Sequence, residues 1–426
     1  MNEMITNKDK IQKYYLDIIT KIHSRLFPEM SLKKILWNET MFCQSQNNIF
    51  KIIVKTFFCK SVKIETNINQ NKLLCLYTKN YRNDHDAYWQ KIKEDCGEHD
   101  DITLLSEKKY LDLNSFFKKI YWYIVAYIEL RKITNNRHRK YLALQMVNRK
   151  WTLDKIDKMN LNPKVVMCFF DSSPDENVLM QYFKNNGAIT VTNQHGQSVF
   201  QSFDYDRVNQ SQILNFKCDY YLAKGEMQIS QFLHAGFSRE HFINIGIVGG
   251  NEFKVCHHNT NCFGVFLDCP NLPFAEEINY KILKITKKIA EKAGLKYIIK
   301  IHPSDNPNKF ESCIDKNCIG ILDKKYSLSE VMDKIDFGII HATSTYVDIY
   351  AYGLRCFKLD SRVNFDIAFY DDVFVTEDEL YTKLIQWKNK SENEKDSYIL
   401  KVRKLYDSGW KKGLISNAIS MMVNKI

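Results

Sequence analysis

The chain has 426 residues, a hydrophobic content of 45% and a formal net charge of +11. This length exceeds one ordinary hydrophobic core and predicts two or three folded domains, and the composition excludes an intrinsically disordered chain. The lysines are spread along the sequence without a dense basic tract, so no nucleic-acid partner is expected. The charge favours an anionic partner, such as a lipid headgroup or an anionic glycan, with a solvated lysine-rich surface as an equal alternative.

The amino-terminal segment 1–22 lacks the basic, apolar and small-residue regions of a secretory signal. A cytoplasmic location is therefore expected, with peripheral contact at the inner face of the membrane left open. The longest apolar run, 120–128, is shorter than the ~20 apolar residues needed to cross a bilayer. We expect a helix there, favoured as a core element, with a surface patch that dips into one lipid leaflet as the alternative.

The 12 cysteines are scattered and form no CxxC pair, which is typical of reduced and mostly buried thiols. One local grouping suggests a metal: Cys256, His257, His258 and Cys262. Its spacing fits no common zinc pattern. Neither a bound metal nor a cofactor is therefore expected.

The first 150 residues alternate irregularly, with strands predicted at 73–78 and 102–106 and helix at 113–150. Beyond residue 160, strands and helices alternate regularly. Strands are predicted at 165–170, 188–194, 219–223, 262–269, 319–323, 336–342 and 355–360, and another runs into His302. Helices are predicted at 174–185, 226–235, 274–294, 345–352 and 393–424, and at 327–335 with a capping box of Ser327 and Glu330.

This alternation predicts an α/β fold with doubly wound sheets. We expect an amino-terminal α/β domain at 1–248 and a Rossmann-like domain at 249–392. The final helix, in segment 393–426, is expected to pack back on the amino-terminal domain. Ligands of such folds bind at the carboxyl ends of the strands, so site residues should follow strands directly.

The stretch VTNQHGQS follows one predicted strand and brings Gln194, His195 and Gly196 to its end. Histidine has an unperturbed pKa of about 6.5, which suits a base that takes a proton from an acceptor hydroxyl. Acids that begin a helix usually serve its dipole, so three carboxylates rank second as bases. They are Asp171, Asp175 and Glu176.

Two further stretches carry polar groups suited to phosphate. His302 follows a strand and precedes a proline, and in IIHATSTYVDIYAYG a strand gives way through hydroxyls to a helix. The donor-side candidates are His302, Thr343, Ser344, Thr345, Asp348 and Gly249.

The three stretches, in this order, resemble those of the CDP-glycerol glycerophosphotransferases. They resemble more loosely the bacterial sialyltransferases and capsule transferases with histidine-proline and serine-serine motifs. The resemblance covers about residues 165–360 and implies the GT-B fold, in which two Rossmann-like domains face a cleft. It implies that domain 1–248 is on the acceptor side and that domain 249–392 is the nucleotide-donor domain.

By this resemblance, His195 acts on the acceptor hydroxyl and His302 contacts the donor phosphates. Ser344 and Thr345 match the paired hydroxyls at the phosphate, and Asp348 the acidic residue one turn later. The Ser-Thr pair departs from the family's pattern, as do the residues before His195.

The resemblance implies an inverting, metal-independent glycosyltransferase of bacterial surface-glycan synthesis. It would move a sugar or polyol phosphate from a nucleotide-activated donor to an acceptor hydroxyl. A CMP- or CDP-linked donor is expected in preference to a UDP-linked one. The acceptor would be a glycan or lipid-linked molecule of capsule, lipooligosaccharide or teichoic-acid type. A UDP-sugar 2-epimerase-like enzyme and a non-catalytic sugar-nucleotide binding module stay open. Asp204 and Asp206, in FDYDR, offer a weaker alternative, the metal motif of GT-A transferases.

Overall fold

The computed structural model describes residues 2–43, 48–69, 72–79, 83–108, 113–196, 211–249, 255–270, 275–360 and 370–424. The chain divides into two compact units. Unit 1 comprises Met1–Lys224, Gln228–Gly249 and Trp410–Ile426, and unit 2 comprises Gly225–Met227 and Gly250–Gly409.

Unit 1 contains a seven-stranded sheet in the order β1, β3, β2, β4, β5, β6, β7. Its strands are β1 (Lys60–Asn67), β2 (Leu73–Thr78), β3 (Asp100–Lys108), β4 (Val165–Cys168), β5 (Ile189–Asn193), β6 (Tyr220–Ala223) and β7 (Phe242–Asn244). All neighbours pair in parallel except β1 and β3, which are antiparallel.

Helices surround this sheet. They are α1 (Asn2–Thr20), α2 (Leu32–Ile35), α3 (Trp37–Phe42), α4 (Ile49–Val54), α5 (Asn83–Cys96), α6 (Leu113–Glu129), α7 (Asn136–Asp157), α8 (Pro174–Asn185), α9 (Ser211–Leu214) and α10 (Glu226–His234). Apolar side chains of β2 alternate between two cores: Leu74 and Leu76 join one, and Leu73, Cys75 and Tyr77 join the other. Both faces of the sheet are therefore buried, which is why its central strands read as continuous apolar runs.

Unit 2 contains a six-stranded sheet in the order β10, β9, β8, β11, β12, β13, with every pair parallel. Its strands are β8 (Cys262–Phe266), β9 (Lys296–Lys300), β10 (Cys318–Leu322), β11 (Phe337–Ile340), β12 (Arg355–Leu359) and β13 (Val373–Phe374). Its helices are α11 (Ala275–Ala293), α12 (Leu328–Met332), α13 (Thr345–Ala351), α14 (Glu377–Lys388) and α15 (Glu392–Tyr406).

The sequence predicted strands β8 to β12 and helices α11 to α13, whereas β13 and α14 were not predicted. The predicted capping box is present, because the Ser327 side chain accepts the N–H of Glu330 and the Glu330 carboxylate accepts the N–H of Ser327. Gly338 allows α13 to pack closely on β11, since a Cβ atom there would lie 2.5 Å from Cδ1 of Ile349. An alanine at this position would require the Ile349 side chain to shift.

Two predicted helices were wrong in their extent. The helix predicted over 113–150 is interrupted between α6 and α7, where Ile133 donates its N–H to the carbonyl of Leu130 in a turn. The final helix predicted over 393–424 is also two helices, α15 and α16 (Leu414–Val423). Gly409 and Gly413, with φ of 82° and 88°, break it, because this left-handed conformation cannot continue a helix.

The residues after this break belong to unit 1, whereas α15 belongs to unit 2. Asp95 at the end of α5 accepts the N–H groups of Gly413 at 2.6 Å and Ile415 at 3.0 Å. A carboxylate in this position satisfies free donors of the first turn of α16 and favours its dipole. The carboxyl-terminal helix is thereby fixed to α5 within unit 1.

The apolar run at 120–128 lies in α6, and the favoured prediction of a core helix holds for one face only. Trp122 and Ala126 are buried. The other face exposes an apolar stripe of Phe117, Tyr121, Ile124 and Ile128, which are 67%, 64%, 51% and 52% exposed. Among the described residues, no helix is long and apolar enough to span a bilayer.

Candidate functional site

The carboxyl edge of the unit 1 sheet places His195 among aromatic rings. His195 follows β5, and Phe169 and Phe170 follow the neighbouring strand β4. The ring centroid of His195 lies 5.4 Å from that of Phe169 and 4.9 Å from that of Phe170. The imidazole is thus held between apolar faces at the edge where ligands of parallel sheets bind.

A second histidine, which the sequence analysis missed, lies against His195. His85 in the first turn of α5 is buried, and the two ring centroids are 4.3 Å apart with the planes at 85°. His85 also packs on Phe169 at 5.3 Å. The two histidines are 110 positions apart in the chain, and the crossover from β2 to β3 through α5 brings them together. A pattern search of nearby residues could not reveal this pair.

The residues beside His195 are part of the scaffold of this edge. Gln194 is buried, donates its N–H to the carbonyl of Leu222 at 2.9 Å and accepts the N–H of Lys224 on its side-chain oxygen at 2.7 Å. It thereby joins the ends of β5 and β6. The Lys224 ammonium lies 4.7 Å from the ring centroid of Tyr88 in α5. Gly196 is half-buried and ends the described stretch.

The two aspartates predicted as alternative bases form ion pairs within unit 1. Asp171 is buried, its carboxylate lies 3.7 Å from the Lys217 ammonium, and it accepts the Lys217 N–H at 3.2 Å. Asp175 lies 2.7 Å from the Arg149 guanidinium, which also contacts Glu39 at 2.8 Å. Each carboxylate thus has a cationic partner within unit 1.

Glu176 has a different environment. This buried carboxylate, at the start of α8, accepts the N–H of Phe170 at 2.6 Å and that of Thr78 at 2.8 Å. Desolvation raises the pKa of Glu176 to about 8, although the two backbone hydrogen bonds favour its charged form. At neutral pH the group is therefore mostly protonated, and it ties the end of β2 to the segment after β4.

The carboxyl edge of the unit 2 sheet carries the predicted donor-side histidine. His302 follows β9 and is half-buried. Its Nδ1 accepts the N–H of Ser304 at 3.2 Å and lies 2.7 Å from the Ser304 hydroxyl oxygen. The backbone contact sets the tautomer, so the ring proton lies on Nε2, which can donate to a phosphate oxygen.

The hydroxyl stretch follows β11 on the same edge. The hydroxyl oxygens of Thr343 and Thr345 are 2.9 Å apart, and Thr343 accepts the N–H of Thr345 at 3.3 Å. Ser344 is exposed and makes no side-chain capping bond, while Asp348 is half-buried in α13. Helix α13 has only seven residues, so its dipole is short. The groups that this segment offers to a ligand are therefore the hydroxyls.

A buried aspartate–histidine pair completes this edge, and sequence reasoning did not identify it as a site feature. Asp268 follows β8 and His341 follows the adjacent strand β11, and both are at most 3% exposed. The Asp268 carboxylate binds Nδ1 of His341 and accepts the N–H of Ala342 at 2.9 Å. Asn279 in α11 accepts the Asp268 N–H at 3.0 Å and so fixes the backbone. The signal in the sequence was a polar residue at the end of each strand: Asp268 after β8 and His341 after β11.

The remaining predicted residues lie elsewhere or outside the described ranges. Gly249 belongs to unit 1, whereas the other donor-side residues belong to unit 2. It has φ of 70°, and Lys91 lies beside it. Asp204 and Asp206 lie in 197–210, outside the described residues. In the grouping that suggested a metal, His257 pairs with Asp396 at 3.0 Å, and His258 contacts the Ile335 carbonyl at 2.9 Å through Nδ1.

No protein-family model matches the sequence, and no curated protein matches it. A putative UDP-N-acetylglucosamine 2-epimerase from Listeria monocytogenes is similar in structure over 83% of this chain and 96% of its own, with 8% identity and a TM-score of 0.50. The lipopolysaccharide outer core galactosyltransferase WaaB aligns over 83% and 100%, with 12% identity and a TM-score of 0.49. A TarM variant from S. aureus aligns over 65% and 59%, with 13% identity and a TM-score of 0.45.

The structural neighbours are thus glycosyltransferases and epimerases. The chain spans about three fifths of the length of the TarM structures. At identities this low, the likeness to the Listeria protein shows the fold alone: an α/β chain of GT-B-like kind, built from two Rossmann-like units. A shared fold does not determine a reaction, so function has to be argued from the residues at the two sheet edges.

Proposed function

We propose that this chain is an inverting glycosyltransferase of the GT-B type that uses a nucleotide-activated sugar or polyol phosphate. The observation that carries the proposal is the placement of histidines at the carboxyl edges of both parallel sheets: His195 in unit 1, and His302 and His341 in unit 2. Histidine is the side chain best suited to move a proton at neutral pH, and its N–H can donate to phosphate. Each unit is assigned its own part of the reaction.

Unit 1 supplies the base in this proposal. His195 takes the proton of the acceptor hydroxyl as its oxygen attacks the donor, and the bond from the donor carbon or phosphorus to the nucleotide phosphate breaks with its electron pair on that phosphate. The rings of Phe169 and Phe170 pack against this imidazole. His85 positions this ring.

Unit 2 binds the nucleotide in this proposal. Strands β9, β8 and β11 are consecutive in the sheet, and adjacent strands lie about 5 Å apart. His302, His341 and Thr343 therefore follow strands within two strand spacings, a row of donors suited to phosphate oxygens. Such donors stabilise the charge on a leaving phosphate, so no metal is required at the reacting bond.

The donor and acceptor are proposed at the level of chemical class. A CMP- or CDP-linked donor is favoured over a UDP-linked one, and the acceptor is a hydroxyl of a surface glycan or lipid-linked glycan. The test incubates purified protein with CMP-, CDP- and UDP-linked donors, with and without mixed glycan acceptors, and measures released nucleotide. Release that depends on acceptor and is lost in His195→Ala supports the proposal. No release from any donor contradicts it.

The second candidate is a UDP-sugar epimerase, because a putative enzyme of that kind shares the fold. It needs no acceptor, so a UDP-sugar supplied alone would yield its isomer or free UDP. Isomer formation without acceptor would replace the transferase proposal. Nucleotide binding without any turnover would instead favour a non-catalytic sugar-nucleotide binding module.

We also propose that unit 1 contacts an anionic membrane through the apolar stripe of α6. Arg131 and Lys132, which follow this helix, are exposed and would meet acidic headgroups while the stripe enters the leaflet. Vesicles with and without phosphatidylglycerol test this by co-flotation. Phe117→Ser with Ile124→Ser should abolish binding, and Ile319→Ser, at a 62% exposed apolar side chain of unit 2, should not. Equal flotation of all three proteins would contradict the proposal.

A further inference from the structure

Three potential metal ligands meet at one place in unit 1, and a fourth is beside them. Cys75 in β2 lies opposite Asp101 in β3, His99 immediately precedes that strand, and Cys96 ends α5. Among the residues that the structure describes, Cys75, His99 and Asp101 have ligand atoms that all lie within 4.8 Å of one another. The Cys96 thiol neighbours Cys75 and donates to the Ile92 carbonyl at 3.1 Å. Three side chains therefore surround a common point, and a rotation of the Cys96 side chain away from Ile92 would bring a second thiol to it.

We propose that Cys75, Cys96, His99 and Asp101 bind one Zn²⁺ ion. Two thiolates, an imidazole and a carboxylate are a donor set that zinc accepts in tetrahedral geometry, and soft thiolate ligands select zinc over Mg²⁺ or Ca²⁺. Zinc bond lengths of about 2.0–2.3 Å place tetrahedral ligands roughly 3.3–3.8 Å apart. For Cys75, His99 and Asp101, side-chain adjustment of about 1 Å closes the cluster to that size, and Cys96 would exchange its contact with the Ile92 carbonyl for the ion.

The histidine is already oriented for a metal. His99 Nδ1 lies 2.6 Å from the Gly97 carbonyl oxygen, to which it donates its proton, so Nε2 is the nitrogen left for the ion. Nε2 lies 3.5 Å from the Asp101 carboxylate. A ring whose other nitrogen is held by a backbone carbonyl is the usual arrangement of a metal-binding histidine.

The charges of the cluster also suit a divalent cation. Two thiolates and a carboxylate exceed the charge of one Zn²⁺ by one unit. The Lys93 ammonium, 3.0 Å from the Asp101 carboxylate, neutralises the remainder. Binding forms two zinc–sulfur bonds, and the protons of both thiols leave to the solvent.

The position in the fold assigns this ion a structural role. Helix α5 begins near His85 at the carboxyl edge of the sheet and ends at Cys96. The two residues are separated by about 16 Å along the helix axis. The ion would clamp the turn between α5 and β3 and join it to β2. It takes no part in the proposed transfer, and the zinc proposal stands independently of that function.

The experiment is a cobalt titration of the metal-stripped full chain under reducing conditions. Co²⁺ in a thiolate-rich tetrahedral site gives charge-transfer bands and intense visible absorption, and zinc displaces it. We expect one Co²⁺ per chain, displaced by one Zn²⁺, and a higher melting temperature with zinc. His99→Gln should weaken Co²⁺ binding at least tenfold, because it removes one ligand while the side chain lies partly at the surface.

Two variants are the matched controls. His234→Gln changes an exposed histidine of α10 whose Nδ1 also contacts a backbone carbonyl, that of Ser230 at 3.0 Å. Cys256→Ser changes a thiol of the grouping that suggested a metal in the sequence. Both should keep the cobalt spectrum. The absence of a thiolate–cobalt spectrum in the unsubstituted chain, or its persistence in His99→Gln, would overturn the proposal.

Discussion

The carboxyl edges of the two sheets hold their histidines in different ways. In unit 1, His195 is surrounded by rings, those of His85, Phe169 and Phe170. In unit 2, His341 is fixed by the Asp268 carboxylate, and Ser304 sets the tautomer of His302. An imidazole can take up a proton near neutral pH, and one whose Nδ1 is held by a neighbouring group presents its other nitrogen in one direction. The difference suggests proton transfer in unit 1 and phosphate binding in unit 2, and the substitutions below test it.

The largest effect is expected from His195→Ala. Loss of a general base lowers kcat by about 10²- to 10⁴-fold, whereas nucleotide affinity should change little because the nucleotide is assigned to unit 2. Steady-state kinetics with acceptor present measures both quantities. A variant with unchanged kcat would remove the base from unit 1.

Asp175→Asn distinguishes a structural carboxylate from a base. The substitution leaves the Arg149 guanidinium with one charged partner, Glu39, instead of two, and loss of a charge-assisted hydrogen bond costs about 1–3 kcal/mol. We expect the free energy of unfolding to fall by about that amount while kcat of the folded enzyme is retained. A drop in kcat similar to that of His195→Ala, with stability unchanged, would make Asp175 the base.

Asp268→Asn tests the fixed histidine of unit 2. The asparagine can still accept the N–H of Ala342, but its amide group loses the charged contact with His341. A mismatched buried hydrogen bond costs about 1–3 kcal/mol, so stability should fall within that range and nucleotide Kd should rise. Denaturant unfolding and calorimetry measure the two effects. Unchanged nucleotide Kd in a stable variant would restrict the pair to a structural role.

Glu176→Gln tests the pH dependence that burial produces. The folded pKa of Glu176 is about 8 and the unfolded pKa is about 4.5, so between these values the folded state holds more protons. The contribution to stability is present below pH 4.5 and is lost as pH rises to 8, by at most about 1.4 kcal/mol per pH unit. The glutamine variant should lose this slope. Its free energy of unfolding should be lower by a constant amount, because the glutamine NH₂ group faces one of the backbone N–H groups that the carboxylate accepts.

Glu330→Gln in unit 2 is the opposite control. Hydrogen bonds from Ser327 lower the pKa of Glu330, so its contribution is present at neutral pH and is lost as pH falls. Denaturant unfolding across pH 4–8 compares the two variants. If the Glu176 variant keeps the slope of the unsubstituted chain, the raised pKa is wrong.

The sequence predicted features that depend on local order. The strand at 73–78 has the bounds of β2, and the capping box at Ser327 is present, because periodicity and capping act within a few residues. The partners of His195 and His341 could not be predicted. His85 and Asp268 reach them through sheet order, which brings together residues 110 and 73 positions apart. The strand β1 was also missed, since charged residues at Lys63 and Glu65 interrupt its apolar pattern.

The central claim is that nucleotide binding and proton transfer belong to different units. The most direct measurement is calorimetric titration of the unsubstituted chain, His302→Ala and His195→Ala with CMP, CDP and UDP. We predict that His302→Ala weakens nucleotide binding about tenfold or more, equivalent to about 1.4 kcal/mol, whereas His195→Ala binds as the unsubstituted chain does. Nucleotide affinity that is lost in His195→Ala and retained in His302→Ala would contradict the account.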